Sequence, residues 1–251
     1  MVIHIIDAEE IVLVISILIV LFLLSILFNV FDRKGSVVAL LLGLLVGLGG
    51  GVNWLLLMIV FALSSFAATK AFFSMKKSLS LQEGRSGERR TANIMYAGAI
   101  VGVLSMLNLL DLHAPFSYLQ ISFLAAVSFA VIGSDTFASE IGFIDRKTIM
   151  ITTFRRVEPG INGGISLVGS LAAVLGGLVI GITFSLLFLQ TFSPYVIGFI
   201  TLMGFIGSNV DSVLGAVAEN RGLITKEQVN LLASLTSVVL AASLVFIYNV
   251  L

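Results

Sequence analysis

The chain has 251 residues, of which 58% are hydrophobic and 11% charged, where an ordinary soluble domain carries about 25% charged residues. Lys plus Arg and Asp plus Glu number 14 each, so net charge says little and nucleic acid is not an expected partner. There is no cysteine, and His4 and His113 stand far apart, which excludes disulfides, thiolate catalysis and a zinc site of the usual kind.

Apolar runs long enough to cross about 30 Å of hydrocarbon recur along the sequence. They are continuous rather than alternating, which excludes a membrane β-barrel. The fold class expected is all-α, a polytopic transmembrane helical bundle of about eight segments forming a single domain over residues 1–251. The first run follows Asp7, Glu9 and Glu10. It has no basic leader and no small-residue cleavage site, so it reads as a retained segment.

Segment one covers about Ile11 to Phe31. Segment two, about Ser36 to Gly50, is short and rich in glycine, a composition that lets helices approach closely. Segment three starts at Trp54, a residue suited to a membrane interface, and ends near Phe73. A polar loop over residues 74–91 follows. Segment four covers about Ala92 to Leu110 and segment five about Tyr118 to Ile141. A second polar loop covers residues 143–162. Segment six is about Gly163 to Leu189. Segment seven begins at Pro194 and ends near Glu219, and segment eight starts near Val229.

Lys and Arg set topology. With Arg33 and Lys34 inside, eight crossings put all 14 basic residues on the cytosolic side. Removing one crossing at segment two would scatter them. Both termini are then expected outside, in a multi-pass protein of the cell membrane.

Polar residues inside such segments need a reason. Asp135 follows an uncharged run from Tyr118 to Ser134, and Glu140 lies about 140° further round the same helix. Asp211 sits within segment seven beside Ser208, Asn209 and Ser212. Gly133-Ser134-Asp135 echoes Gly207-Ser208-Asn209-Val210-Asp211, either as a repeat or as shared small-residue packing. If segments five and seven pack together, two carboxylates converge and want a divalent cation between them. The run Pro159-Gly160-Ile161-Asn162-Gly163-Gly164 can take positive φ at three positions. It leads into segment six, where free helix-start N–H groups suit phosphate. Arginine suits bidentate phosphate contact, which points to Arg85, Arg155 and Arg156. Lys70 either snorkels to the interface or meets a phosphate. Lys76, Lys77, Lys147 and Lys226 need no role beyond topology.

These residues carry a resemblance. Thr69-Lys70, Gly84-Arg85 through Asn93, Ser134 to Gly142, Val157 to Ser166 and Gly207 to Ala216 resemble the DUF92 integral membrane family, whose plant branch includes a phytyl-phosphate kinase. More remotely the arrangement is similar to dolichol kinases and CDP-lipid synthases. The resemblance implies NTP-dependent, CTP-favoured phosphorylation of an isoprenyl monophosphate such as geranylgeranyl or phytyl phosphate, with Mg²⁺. It implies metal and nucleotide contacts at Asp135, Glu140, Asn162 and Asp211. Substrate contacts are expected at Lys70, Arg85, Asn93, Arg155, Arg156, Gly160, Gly163, Gly164, Ser208 and Asn209. The chain departs from the family pattern at Ile161, where threonine is expected, and at Ile94, where a glycine is expected after Asn93. A cytidylyltransferase making a CDP-lipid would use nearly the same residues, and an ion-coupled transporter is the alternative outside enzymes. A homo-oligomer is compatible with each reading.

Overall fold

A computed structural model describes residues 7–28, 30–79 and 91–248. The helices are α1 (Ala8–Leu27), α2 (Arg33–Ala71), α3 (Phe73–Ser78), α4 (Thr91–Leu109), α5 (Tyr118–Ile141), α6 (Leu167–Phe188), α7 (Pro194–Val217) and α8 (Lys226–Tyr248). Seven of them are long and apolar enough to cross a membrane.

The sequence expectation of eight segments meets seven helices because segments two and three lie in one element. At about 1.5 Å per residue, the 39 residues of α2 would span roughly twice the hydrocarbon core if straight. They do not run straight. Gly51 has φ 76° and ψ −174°, a conformation that side-chain-bearing residues rarely adopt. A Cβ on Gly43 would lie 3.3 Å from Cε of Met58, fifteen residues later, so the two limbs fold back on one another. The described residues therefore form seven long apolar helices, of which α2 is folded back on itself at Gly51.

The turn of α2 marks one end of the molecule. Glu10 accepts from the Val52 N–H at 2.8 Å, Asn53 Nδ2 donates to the Leu187 carbonyl at 3.2 Å, and Tyr118 donates to the Gly50 carbonyl at 2.7 Å. The Asn108 amide donates to the Gly49 carbonyl. Asp32 sits at the other end. Its carboxylate caps α2 by accepting from the Gly35 N–H and also accepts from the Thr91 hydroxyl, at 2.6 and 3.0 Å. Among the described residues every Lys and Arg belongs to this second end, from Arg33 to Lys226. Ala8 and Tyr248, the first and last helical residues, lie at the first end.

Three helices form the tightest part of the bundle. A Cβ on Gly176 of α6 would meet the Gly133 carbonyl of α5 at 2.8 Å, and one on Gly177 would meet the Thr201 backbone of α7 at 3.0 Å. Backbones this close leave no room for a side chain, so small residues decide which helices are neighbours. Helix α5 is buried along nearly its whole length, and its Phe123 lies edge-on to Phe184 of α6 at 5.8 Å between ring centres.

The 143–162 loop is not free chain. Ile149–Met150 (β1) pairs antiparallel with Gly164–Ile165 (β2), Ile149 opposite Ile165. The Gly-rich turn therefore ends in a strand rather than opening a helix. Helix α6 begins at Leu167, capped by Ser166, whose Oγ accepts from the Gly169 N–H at 3.1 Å.

Candidate functional site

At the basic end, α5, α6, α7 and the Gly-rich turn enclose a polar cavity of about 270 Å³. Its construction follows from glycines. Gly163 has φ +82°, and a Cβ there would meet Ala216 Cβ at 2.5 Å and the Ser212 carbonyl at 2.7 Å. Gly215 faces the Gly163 N–H in return. The turn is thus pressed flat against α7, and the Asn220 amide fixes it by donating to the Asn162 carbonyl at 2.9 Å.

Asp135 from α5 and Asp211 from α7 both line this cavity. Asp211 has Asp135 as a direct electrostatic and hydrogen-bonding neighbour, with Lys226 and Glu219 as the other charges around it. Asp211 Oδ2 is buried without a hydrogen-bond partner among the described residues. Buried polar atoms are normally satisfied, and an unsatisfied carboxylate oxygen facing a second carboxylate is a donor atom in search of a cation or a proton. Glu219 is a third carboxylate on the cavity wall, but among the described residues no group of three or more His, Cys, Asp or Glu side chains is arranged around one point.

Several sequence-predicted residues come together here. Gly160, Asn162, Gly163, Gly164, Ser208 and Asn209 line the same cavity as the two aspartates. Asn209 Nδ2 is held by the Phe205 carbonyl at 2.7 Å, which leaves its Oδ1 for other contacts. Ile161, where the resemblance leads to an expectation of threonine, is also a lining residue.

Others do not join them. Glu140 does not line the cavity. Its Oε2 forms a buried ion pair with Lys76 Nζ at 3.0 Å. The helical offset between Asp135 and Glu140 turns the two carboxylates apart, so Glu140 is not a third ligand beside the aspartates. Arg155 and Arg156 are exposed on the loop and absent from the cavity lining, because the β1–β2 pairing turns their stretch outward. Asn93 lines a different, apolar space. Lys70 lies over the rings of Phe66 and Phe73, at 5.3 and 5.4 Å, outside the polar cavity. Arg85 lies outside the described residues.

Sequence reasoning missed two cations. Lys76 and Lys226 both line the cavity. Positive-inside topology explains any cytosolic lysine, so neither stood out. A signal did exist for Lys226. It occupies the first position of α8, where the helix dipole disfavours positive charge, and that placement needs a compensating anion. Ser166, Ser170 and Ser212 also line the cavity.

Residues 16–238 match the family described as integral membrane protein DUF92. The chain belongs to the DUF92 family. This DUF92 protein is 29% identical over 205 residues to the uncharacterised membrane protein MJ0933 of Methanocaldococcus jannaschii, covering 81% of each chain. It is 28% identical over 210 residues to Protein PGR of Arabidopsis thaliana, with 76% of this chain and 73% of that protein covered. Protein VTE6, chloroplastic, of the same plant is 29% identical over 193 residues, covering 76% of this chain and 57% of that protein. No solved structure matches the chain significantly. The membership and the seven long apolar helices establish a multi-pass protein embedded in a lipid bilayer, consistent with the expected place in a cell membrane.

Proposed function

We propose that this protein transfers the terminal phosphoryl group of a nucleoside triphosphate, CTP favoured, to an isoprenyl monophosphate at the cytosolic membrane face. The observation that carries the reading is the meeting of Asp135 and Asp211 in a polar cavity at the basic end. The family resemblance to phytyl-phosphate kinase supports the substrate class. The cytosolic orientation rests on the positive-inside rule applied to the basic end.

The carboxylate pair fits Mg²⁺. That ion takes one or two carboxylates and fills its shell with water and phosphate oxygens, and the unpartnered Asp211 Oδ2 is a suitable donor. Bound there, Mg²⁺ would neutralise charge on the triphosphate. Lys226 supplies positive charge on the cavity wall, where Lys76 is already paired with Glu140. The Gly160–Gly164 turn offers the backbone N–H groups of Gly160, Asn162 and Gly163 to phosphate oxygens, those of Ile161 and Gly164 being used within the loop. An acceptor phosphate oxygen attacks the γ-phosphorus, the bond from that phosphorus to the β–γ bridging oxygen breaks, and the nucleoside diphosphate leaves. The acceptor phosphate is mostly dianionic near neutral pH, so the residues of this cavity need not include a strong general base. Positioning and charge neutralisation carry such a reaction.

The cavity lies at one end, and beneath it α5, α6 and α7 close backbone to backbone. That one-sided shape favours an enzyme over an ion-coupled transporter. The test is incubation of purified protein with geranylgeranyl phosphate and CTP labelled at either the α or the γ position. Label passing to lipid from γ alone supports the kinase. Label passing from α identifies a cytidylyltransferase instead. No transfer from CTP or any other nucleotide, with the lipid phosphate bound, sinks both.

A further inference from the structure

A second cavity of about 390 Å³ lies between α1, both limbs of α2 and α4. Its walls are almost wholly apolar, with Leu42, Phe61, Ala62 and Ala97 among them. The volume falls within the roughly 300–1,000 Å³ of ligand sites. Two features set it apart from the ordinary grooves of a lipid-facing helix surface. Ser65 lines it, is 1% exposed, and its Oγ has no hydrogen-bond partner among the described residues. The cavity also reaches the basic end, where Phe66, Thr69 and Asn93 line it.

That mouth lies at the same end of the bundle as the polar cavity. Lys70 follows Thr69 and lies over both Phe66, which lines the apolar space, and Phe73, which opens α3. Three residues further, Lys76 lines the polar cavity. A ligand with an apolar tail and a phosphate head would thus find wall for its tail, a cation at the corner, and the acidic pair beyond.

We propose that the crevice between α1, the limbs of α2 and α4 holds the isoprenyl tail of the lipid phosphate, with its head at the Thr69–Lys70 corner facing the polar cavity. This rests on the kinase reading for the identity of the head group. The occupant is a single methyl-branched prenyl chain rather than a two-chain bilayer lipid. A volume of about 390 Å³ has room for one chain, and the mouth places charge complementarity at one point.

The experiment uses geranylgeranyl phosphate bearing a diazirine at the far end of its tail, photolysed with the full chain in detergent and mapped by peptide. The crevice predicts label on the inward residues of α1, α2 and α4. Excess unlabelled geranylgeranyl phosphate removes that label, and phosphatidylglycerol does not. Ala62→Phe, which fills the crevice, lowers labelling about tenfold, the loss expected when part of a prenyl chain cannot be buried. Leu42→Ala, which widens it, shifts preference toward longer chains and guards against a misfolded Ala62→Phe protein. Label scattered over outward residues such as Val12 and Leu23, equal competition by phosphatidylglycerol, or indifference to both variants overturns the proposal. Crevice labelling without phosphoryl transfer from any nucleotide overturns the kinase and leaves the crevice. Transfer with label elsewhere does the reverse.

Discussion

The two halves of the bundle use backbone-to-backbone approach to different extents. In α5, α6 and α7, glycines bring backbones together until a single methyl group would collide with a carbonyl oxygen. In α1, α2 and α4, Gly49 does meet the Ser105 carbonyl of α4, but Gly43, Gly47 and Gly98 meet the side chains of Leu18, Val14 and Leu42, and α1 exposes Val12, Leu13, Leu23 and Leu27 to its surroundings. The tight half carries the carboxylates. The loose half carries an apolar crevice. The difference has a physical reason: two buried aspartates that repel stay side by side only where their backbones are held, whereas a space for a flexible hydrocarbon needs side chains that leave volume behind.

The strongest way to break this comparison is to remove charge from the tight half. Asp211→Asn keeps the shape and removes one of the paired carboxylates. Phosphoryl transfer to geranylgeranyl phosphate should fall by at least about 100-fold, the scale seen when one transition-state charge contact is lost, while far-ultraviolet circular dichroism stays unchanged. Activity within a few-fold of wild type would remove the aspartate pair from the reaction.

The Lys76–Glu140 pair, which ties α3 to the end of α5, tests whether the tight half is held by charge as well as by glycine. Its side chains are 9% and 12% exposed. Removing one partner leaves a buried charge uncompensated, a loss of roughly 3 kcal/mol. Lys76→Met and Glu140→Gln should each lower the melting temperature in detergent, and the double variant should recover most of the loss. If the single and double variants melt alike, the pair contributes nothing.

How far these features were legible in the sequence depends on the kind of signal. The bounds of α5, Tyr118 to Ile141, follow from an uncharged run ending at a polar cluster. The partnership of Asp135 with Asp211 follows from the echo around Gly133 and Gly207, because small residues and a carboxylate at matched depth predict helices that touch. The Gly-rich turn was misread as a helix start. Glycines announce freedom of φ but not its use, and Ser166, a capping residue just before the apolar run, was the better marker. The fold-back at Gly51 was legible as two segments, though a single residue suffices for the turn. Lys76 and Glu140 stand 64 residues apart in sequence, and nothing local in either stretch signals that they pair.

Glycine substitutions sharpen the comparison directly. Gly176→Val places a branched side chain against the Gly133 backbone, which cannot yield, and should destabilise by about 1–3 kcal/mol. Gly102→Ala in α4 meets only the side-chain tips of Leu42 and Leu45 at 3.5 Å, an ordinary contact. It should be neutral or raise stability by up to about 1 kcal/mol, as alanine favours a helix over glycine. Thermal melts of the two variants in one detergent decide the matter. Equal destabilisation would mean that the halves do not differ in packing.

The smallest expected loss lies on the seam between the halves. Trp54 opens the second limb of α2, is 1% exposed, and donates from Nε1 to Ser122 Oγ of α5 at 2.7 Å. Ser122 in turn donates to the Tyr118 carbonyl at 2.7 Å, so the serine keeps a partner when the indole is lost. Trp54→Phe removes one hydrogen bond and some ring volume without leaving a charge or an orphaned donor. The loss should be about 1 kcal/mol with catalysis unchanged, since the contact stands at the end of α5 opposite Asp135. A melt lowered by that amount together with unaltered phosphoryl transfer would mean that the loose half tolerates change at its junction without disturbing the carboxylates. A fall in transfer rate would mean that the two halves move as one body, and that the packing of the prenyl crevice reaches the acidic pair.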